Sequence, residues 1–422
     1  MKIVMINHTF QQERFYKRWH LLATQHPDLD ITLLAPDKWD DGNLKGLTYG
    51  KVIRHTGKEL DEGNFHIRLI DMQNKRYGTW ISSKMVDYIK QINPDIVYHI
   101  GEHRQDSLMQ LLDMKKKGHT KAKIVCFSMR GHQQSLRLKK DLNPIRMSRH
   151  IVGYTMMKHR VMKLNKYCDA VFCHYPDAVN EFRKEGYKKP IYMQTQVGVD
   201  TDVFHPDILA RQKIRNKYNI GDSFLFGSAS RFNAGKGLEQ IIKALPQDGN
   251  WKYLLMGWGR EDEVEKIKQI IKERGFDNRI ILTGFIEDWK DMAEHWNALD
   301  CAIHYPLTTP EWEETFSLAL VQMMATHLPV IGSSSGSVPY QMGENGLVVQ
   351  ENNIEKLNKA MFYMMENEAE RQNFADNMYK RAIECFSITH LNDCFYHTII
   401  DVNSNVYDER KQDMTSYLVG CN

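Results

Sequence analysis

SFLFGSASRFNAGKGLE, residues 223–239, reads as an apolar strand, a short loop carrying two cations, and the start of a helix near Leu238. That grammar belongs to a parallel α/β layer, where strand and helix alternate along the chain. Arg231 and Lys236 stand five residues apart in the loop. Backbone N–H groups, the helix dipole and two fixed cations together suit a diphosphate. The alternative is a solvated basic loop. The glycine spacing is not that of a Walker loop, so ATP hydrolysis is not indicated.

The same grammar extends in both directions. Downstream, buried strands are expected at 251–257, 279–285, 300–306, 328–334 and 346–350. Upstream they are expected at 2–6, 30–35, 96–100, 124–128, 169–174 and 191–197, with helices at Glu13–Thr24 and, from the spacing of Trp80, Ile81, Met85, Ile89 and Ile92, before Asn93-Pro94-Asp95. This predicts an α/β fold of two doubly wound, Rossmann-like domains facing a cleft, joined near 198–206. Residues 1–200 form one, 201–390 the other, and 391–422 a terminal helix. Ligands of open parallel sheets bind beyond the carboxyl ends of the strands.

With 422 residues, 42% hydrophobic and 26% charged, the chain is long enough for two cores and has an ordinary globular composition. No run of 18 uncharged apolar residues is present, which excludes a membrane-spanning helix. MKIVMINHTF turns polar at Asn7 and His8, too early for a secretory core, and reads as a strand. The 7 Cys are scattered without a C-x-x-C pair, as expected of a reducing cytoplasm. The formal charge of +3 hides an asymmetry: residues 1–200 hold 34 Lys and Arg against 21 Asp and Glu, leaving 22 against 32 for the rest. From Arg130 to Lys166 ten cations face one acid, Asp141. Such a run suits an anionic membrane surface, a phosphorylated acceptor or nucleic acid, or else a solvated helical face. Within it, Ile151, Val152, Tyr154, Met156, Met157, Val161, Met162 and Leu164 supply apolar positions. They fit a peripheral membrane contact, a wall for an acidic or lipid-linked acceptor, or plain core.

Two further motifs lie in the second half. Gly257-Trp258-Gly259 ends a strand, where a glycine lets backbone approach a ligand. Pro310 to Leu318 (PEWEETFSL) places acids before the apolar helix Leu318–Ala325. They are read as opening the helix, either to bind a sugar hydroxyl through Glu314 beside N–H groups that face a phosphate, or only to complement the macrodipole.

Together, GVDTDVFHP (198–206), SRFNAGKGLE (230–239), LLMGWG (254–259), ILTGF (281–285), TPEWEETFSLALVQMMATHLPVIGSSSGSVP (309–339) and NGLVV (345–349) resemble family four of the retaining nucleotide-sugar glycosyltransferases, the group 1 transferases, of the GT-B fold. The resemblance implies a second domain holding a UDP- or GDP-linked sugar, a first domain holding the acceptor, and a terminal helix, 391–422, that crosses back to the first domain. Transfer would proceed with retention, in cell-surface polysaccharide, glycolipid or other glycoconjugate synthesis, with no metal, no cofactor and no nucleic acid. No Asp-x-Asp pair is present, in keeping with metal independence. By position it implies Arg231 and Lys236 on the diphosphate, Glu314 on sugar hydroxyls, Gln322 on the ribose and Gly284 with Phe285 at the nucleobase. Gly257, Thr315, Phe316, Ser317 and Leu318 border the donor. Gln322 replaces the family's second acid, Thr315 and Ser317 stand where glycine is usual, and Asn7-His8-Thr9-Phe10-Gln11-Gln12 replaces a Gly-rich loop. His132, ahead of His103, is the candidate to assist acceptor deprotonation or to hydrogen-bond the donor sugar, the alternative for each being a polar histidine lining a loop without a catalytic role. The alternatives are a nucleotide-sugar epimerase or hydrolase on the same scaffold, and a noncatalytic nucleotide-sugar binding subunit. The protein is expected in the cytoplasm or peripheral to the inner face of the membrane.

Overall fold

The computed structural model describes residues 1–40, 54–74, 80–129, 131 and 144–406. It divides into two units, Met1–Gln196 joined by residues from Leu391, and Val197–His390. Val197 rather than residue 201 opens the second unit because Val199 is bonded within it. Its N–H donates to the Phe386 carbonyl at 2.8 Å, and its carbonyl accepts from Ile388 at 3.0 Å.

The first unit is built on an eight-stranded sheet. Its strands are β1 (Lys2–Ile6), β2 (Asp30–Pro36), β3 (Leu60–Glu62), β4 (Phe65–Ile70), β5 (Ile96–Ile100), β6 (Lys123–Ser128), β7 (Ala170–Cys173) and β8 (Ile191–Met193), in the order β8-β7-β6-β5-β1-β2-β4-β3. All neighbours pair in parallel except β3 and β4. β1 and β5 are buried almost throughout, which is why they read as unbroken apolar runs rather than alternating ones. Helices α1 (Glu13–Gln25), α2 (Asp106–Lys116) and α3 (Pro144–Tyr167) belong to this unit. So does most of α4 (Ile388–Ser404), whose Phe395, Ile399 and Val402 are buried in the same core as Trp19, Tyr98 and Phe172. The Trp19 and Phe395 rings meet edge to face at 5.2 Å. Arg18, buried on α1, ties the two helices. Its guanidinium donates at 3.0 Å to the carbonyls of Thr195 and Leu391 and to Asn392 Oδ1, and Asn392 Nδ2 donates back to the Arg18 carbonyl at 3.1 Å. With no carboxylate among those partners, burial lowers its pKa to about 10, still above neutrality.

The second unit carries a six-stranded parallel sheet: β9 (Phe224–Arg231), β10 (Trp251–Trp258), β11 (Ile280–Gly284), β12 (Cys301–His304), β13 (Val330–Ser333) and β14 (Leu347–Val349), in the order β11-β10-β9-β12-β13-β14. Helices α5 (Leu238–Ala244) and α6 (Leu318–Ala325) follow β9 and β12. These are the two doubly wound α/β units expected from the sequence.

Two expectations are corrected. Trp80 and Ile81 form a short strand paired with Gln73–Asn74, and the helix begins only at Ser83, where Ser82 Oγ accepts from Met85 N–H. Residues 310–316 are loop, so the acids do not open a helix; the first turn of α6 contains none. Cys126, Cys168, Cys173, Cys301 and Cys394 are buried free thiols. Among the described residues no helix is long and apolar enough to cross a membrane.

Candidate functional site

Chain order reverses between β9 and β12, which pair at Phe226–Cys301 and Gly227–Ala302. Beyond the carboxyl ends of such a pair the flanking loops part and leave a crevice. A cavity of about 210 Å³ lies there, lined by Ser228, Ser230, Arg231, Lys236, His304 and Ser317 among others. Arg231 ends β9, and a single turn over Ala234–Lys236 turns the chain into α5 through Gly237 at φ 67°. A side chain at 237 would bring its Cβ within 2.0 Å of the Tyr305 carbonyl oxygen, so the loop closes this tightly only with glycine. Both cations predicted from the sequence thus line one cavity. Arg231 has no acidic partner there among the described residues.

Lys236 does have one. Its Nζ lies 2.7 Å from Glu314 Oε2, with the ammonium 4.4 Å from the centre of the Trp312 ring. Glu314 is held by its backbone: the carbonyl accepts from Ser337 N–H at 2.7 Å, and Gly336, at φ 48°, lies so close that a Cβ would come within 2.1 Å of it. The two side chains are only 16% and 9% exposed. Removing one partner from so buried a pair leaves an uncompensated charge and costs about 3–5 kcal/mol.

His304, the last residue of β12, is 6% exposed. Its Nε2 has no hydrogen-bond partner and lies 3.9 Å from Glu314 Oε2. Burial, helped by the Lys236 ammonium, pushes the imidazole down to about 3, so it is neutral. An unpartnered buried polar atom costs about 1–3 kcal/mol. Sequence reading treated this residue as part of a strand and missed it. The available signal was a histidine ending an apolar strand at the binding edge of a parallel sheet.

The remaining predicted residues are distributed around this cavity. Ser317 caps α6: its Oγ accepts from Leu320 N–H at 3.2 Å, and its N–H and carbonyl bond the buried Gln341 amide at 2.8 and 3.0 Å. Its φ of −107° is open to any residue, so the absence of glycine costs no strain there. Leu318 opens the helix, and Gln322 is buried on its second turn. Thr315, Phe316, Leu318 and Gln322 stand outside the cavity walls, as does Glu314, which adjoins those walls through Lys236; the Phe316 ring instead meets Phe386 at 6.0 Å. Gly257 pairs with Ser230 in the β9–β10 register. Gly284 ends β11, and Phe285 is 59% exposed with its ring 5.5 Å from Trp258, an apolar step beside the strand ends. His132 lies outside the described residues. His103, in the first unit, is buried with Nδ1 2.8 Å from Ser128 Oγ.

Residues 210–381 match the family model of glycosyl transferases group 1. A GDP-mannose-dependent alpha-(1-6)-phosphatidylinositol monomannoside mannosyltransferase of Mycobacterium tuberculosis is 28% identical over 174 residues, 39% of this chain and 44% of the relative. A poly(glycerol-phosphate) alpha-glucosyltransferase of Bacillus subtilis is 23% identical over 218 residues, 51% of this chain and 30% of the relative. The matches therefore span less than half the length of these curated relatives. Among solved structures, Anabaena HepE in complex with UDP-glucose superposes with a TM-score of 0.64 at 18% identity, over 95% of this chain and 100% of that one. A sucrose-phosphate synthase of Thermosynechococcus elongatus reaches 0.67 at 14% identity, over 96% and 100%. The shared feature is the GT-B fold.

Proposed function

We propose that the protein is a glycosyltransferase that moves a sugar from a nucleotide-diphosphate sugar to an acceptor hydroxyl, with retention at the anomeric carbon and without a metal. The single observation that carries this reading is the cavity at the β9–β12 switch point, where Arg231 and Lys236 converge beside Glu314. The chemistry follows from charge. As the glycosidic bond breaks, negative charge grows on the diphosphate, and two cations held by the fold stabilise it without reorganising. Glu314 accepts hydrogen bonds from sugar hydroxyls, Gln322 pairs with the ribose, and Phe285 with Trp258 offers an apolar surface to the nucleobase. The family match and the UDP-sugar complex of HepE support the nucleotide-sugar donor.

The acceptor we infer to be acidic or lipid-linked, met at an anionic surface. The support is α3. Ile151, Val152, Met156 and Met162 on it are exposed, and no acidic residue lies between 144 and 167. Two relatives in the comparison carry phosphatidylinositol and poly(glycerol-phosphate) in their names.

The experiment is to incubate the full chain with UDP- and GDP-sugars, with and without a chelator and with and without lipid extracts, and to follow donor consumption. Consumption that depends on acceptor and survives chelation is expected. Conversion of donor without acceptor would favour an epimerase or hydrolase, and tight binding without turnover a noncatalytic subunit.

A further inference from the structure

We propose that His304 is a positioning residue for Glu314, taking hold of its carboxylate as the Lys236 ammonium turns toward the diphosphate of the donor. The inference rests on the donor reading above and concerns a residue that reading does not use. In the structure Lys236 Nζ is 2.7 Å from Glu314 Oε2, and His304 Nε2 approaches the same oxygen at 3.9 Å without bonding anything. One carboxylate oxygen therefore faces a cation that holds it and an imidazole nitrogen that waits about one ångström beyond hydrogen-bond distance.

The arrangement is incomplete as it stands and becomes complete when an anion enters. Lys236 lines the cavity, and an entering diphosphate draws its ammonium away from the carboxylate. Glu314 is too buried for water to replace the lost partner. A shift of the imidazole by less than the width of an atom lets Nε2–H, in the tautomer that protonates this nitrogen, donate to Oε2. No proton is transferred. Glu314 then keeps one oxygen fixed on the protein and presents the other to the donor sugar, while Lys236 is released to the leaving group.

Neutrality of the ring matters here. The Lys236 ammonium and burial both oppose protonation, so His304 adds a donor without adding a second cation. An arginine or lysine at this position would repel Lys236 and hold Glu314 permanently. An aliphatic residue would leave the carboxylate bare whenever donor is bound.

The test uses the full chain and four variants: His304→Leu, which keeps volume without a donor; His304→Gln, whose amide reaches as far as Nε2; Glu314→Gln; and the double variant His304→Leu/Glu314→Gln. Titration calorimetry with UDP and GDP, melting temperature without ligand, and donor kcat and KM are measured for each. Expected are an unliganded His304→Leu at least as stable as wild type, nucleotide binding and kcat about 10-fold weaker, and His304→Gln within about 3-fold of wild type. In the Glu314→Gln background, where no carboxylate remains to be orphaned, the leucine should cost little further. The assignment is overturned by a well-folded His304→Leu with wild-type affinity and kcat, by a His304→Gln as impaired as the leucine, or by an undiminished loss in the Glu314→Gln background. A wild-type chain that binds neither nucleotide would instead overturn the donor reading on which it depends.

Discussion

At the scale of single residues, the candidate site turns on which charges are already paired. Arg231 is open to an incoming anion, whereas Lys236 arrives with Glu314. Lys236→Ala therefore has two effects: it removes a cation from the leaving group and strands a buried carboxylate. Turnover should fall by about 100-fold or more, with a loss of unliganded stability that Arg231→Ala does not share. Donor saturation curves and melting temperatures of the two variants check this, and near-normal turnover in both would remove them from the diphosphate. Glu314 and Gln322 should differ in kind. A contact on the reacting ring can strengthen in the transition state, while a remote ribose contact is mostly uniform binding. Glu314→Gln is expected to lower kcat, and Gln322→Ala mainly to raise the donor KM. Should Gln322→Ala leave KM unmoved, the ribose contact belongs to another residue. The two cations and Glu314 could be picked out in the sequence because a loop after a strand and a turn before a helix have fixed local geometry. Their contact could not, because residues 78 positions apart meet only through the β9–β12 pairing and the backbone clamp at Gly336.

At the scale of elements, α3 shows how far a pattern can be read. Its apolar positions divide: Val161 and Leu164 are core, while Ile151, Val152 and Met156 face outward along a groove of about 580 Å³ that Met109 of α2 also lines, and Met162 is exposed beyond it. Arg160 and Lys163 are bound to Asp106 and Asp113 of α2, which pins the lower half of the helix, and Arg149 and Lys158 flank the exposed face. If this face meets anionic lipid, the chain should sediment with vesicles containing phosphatidylglycerol but not with phosphatidylcholine alone. The double variant Val152→Glu/Met156→Glu should abolish that binding while leaving donor hydrolysis or transfer to a soluble acceptor unchanged. Equal binding by the variant would reassign the face. Composition alone could not make the division, since core and surface positions of this helix use the same residue types. Strand β4 carries a signal of the other kind, which a search for unbroken apolar runs passes over: Phe65–Ile70 alternates Phe65 and Ile67 with His66 and Arg68, the period-two pattern of a half-buried strand. Those polar side chains are accommodated by Asp61, which His66 and Arg68 both reach, a partner no local pattern announces. By contrast the fully buried strands, from Lys2–Ile6 to Val330–Ser333, were readable because parallel sheets covered on both faces leave an unbroken apolar run.

At the scale of the whole molecule, both units bury neutral histidines. Burial pushes His99 and His174 in the first unit, and His304 in the second, down to about 3. The unfolded chain protonates each near 6.5, so between these values it binds protons that the native state refuses, and stability rises with pH. The contribution is complete above about 6.5 and is lost as pH falls toward 3, at about 2 kcal/mol per histidine by pH 5. Urea titrations at pH 7 and pH 5 should show this loss, and midpoints independent of pH over that range would refute it. The return of α4 has a consequence in time rather than space. During synthesis the ribosome delivers residues 1–196 first, yet Phe395, Ile399 and Val402, which fill the same core as Trp19 and Phe172, emerge only after the entire second unit. At about 5–20 residues per second that is a wait of roughly 10–40 s. Throughout it the nascent first unit carries an open apolar trough and an Arg18 without its Leu391 and Asn392 partners. The second unit is then the first whose whole sequence has been made, and a released chain truncated after residue 390 should give a protease-resistant second unit and a cleavable first one.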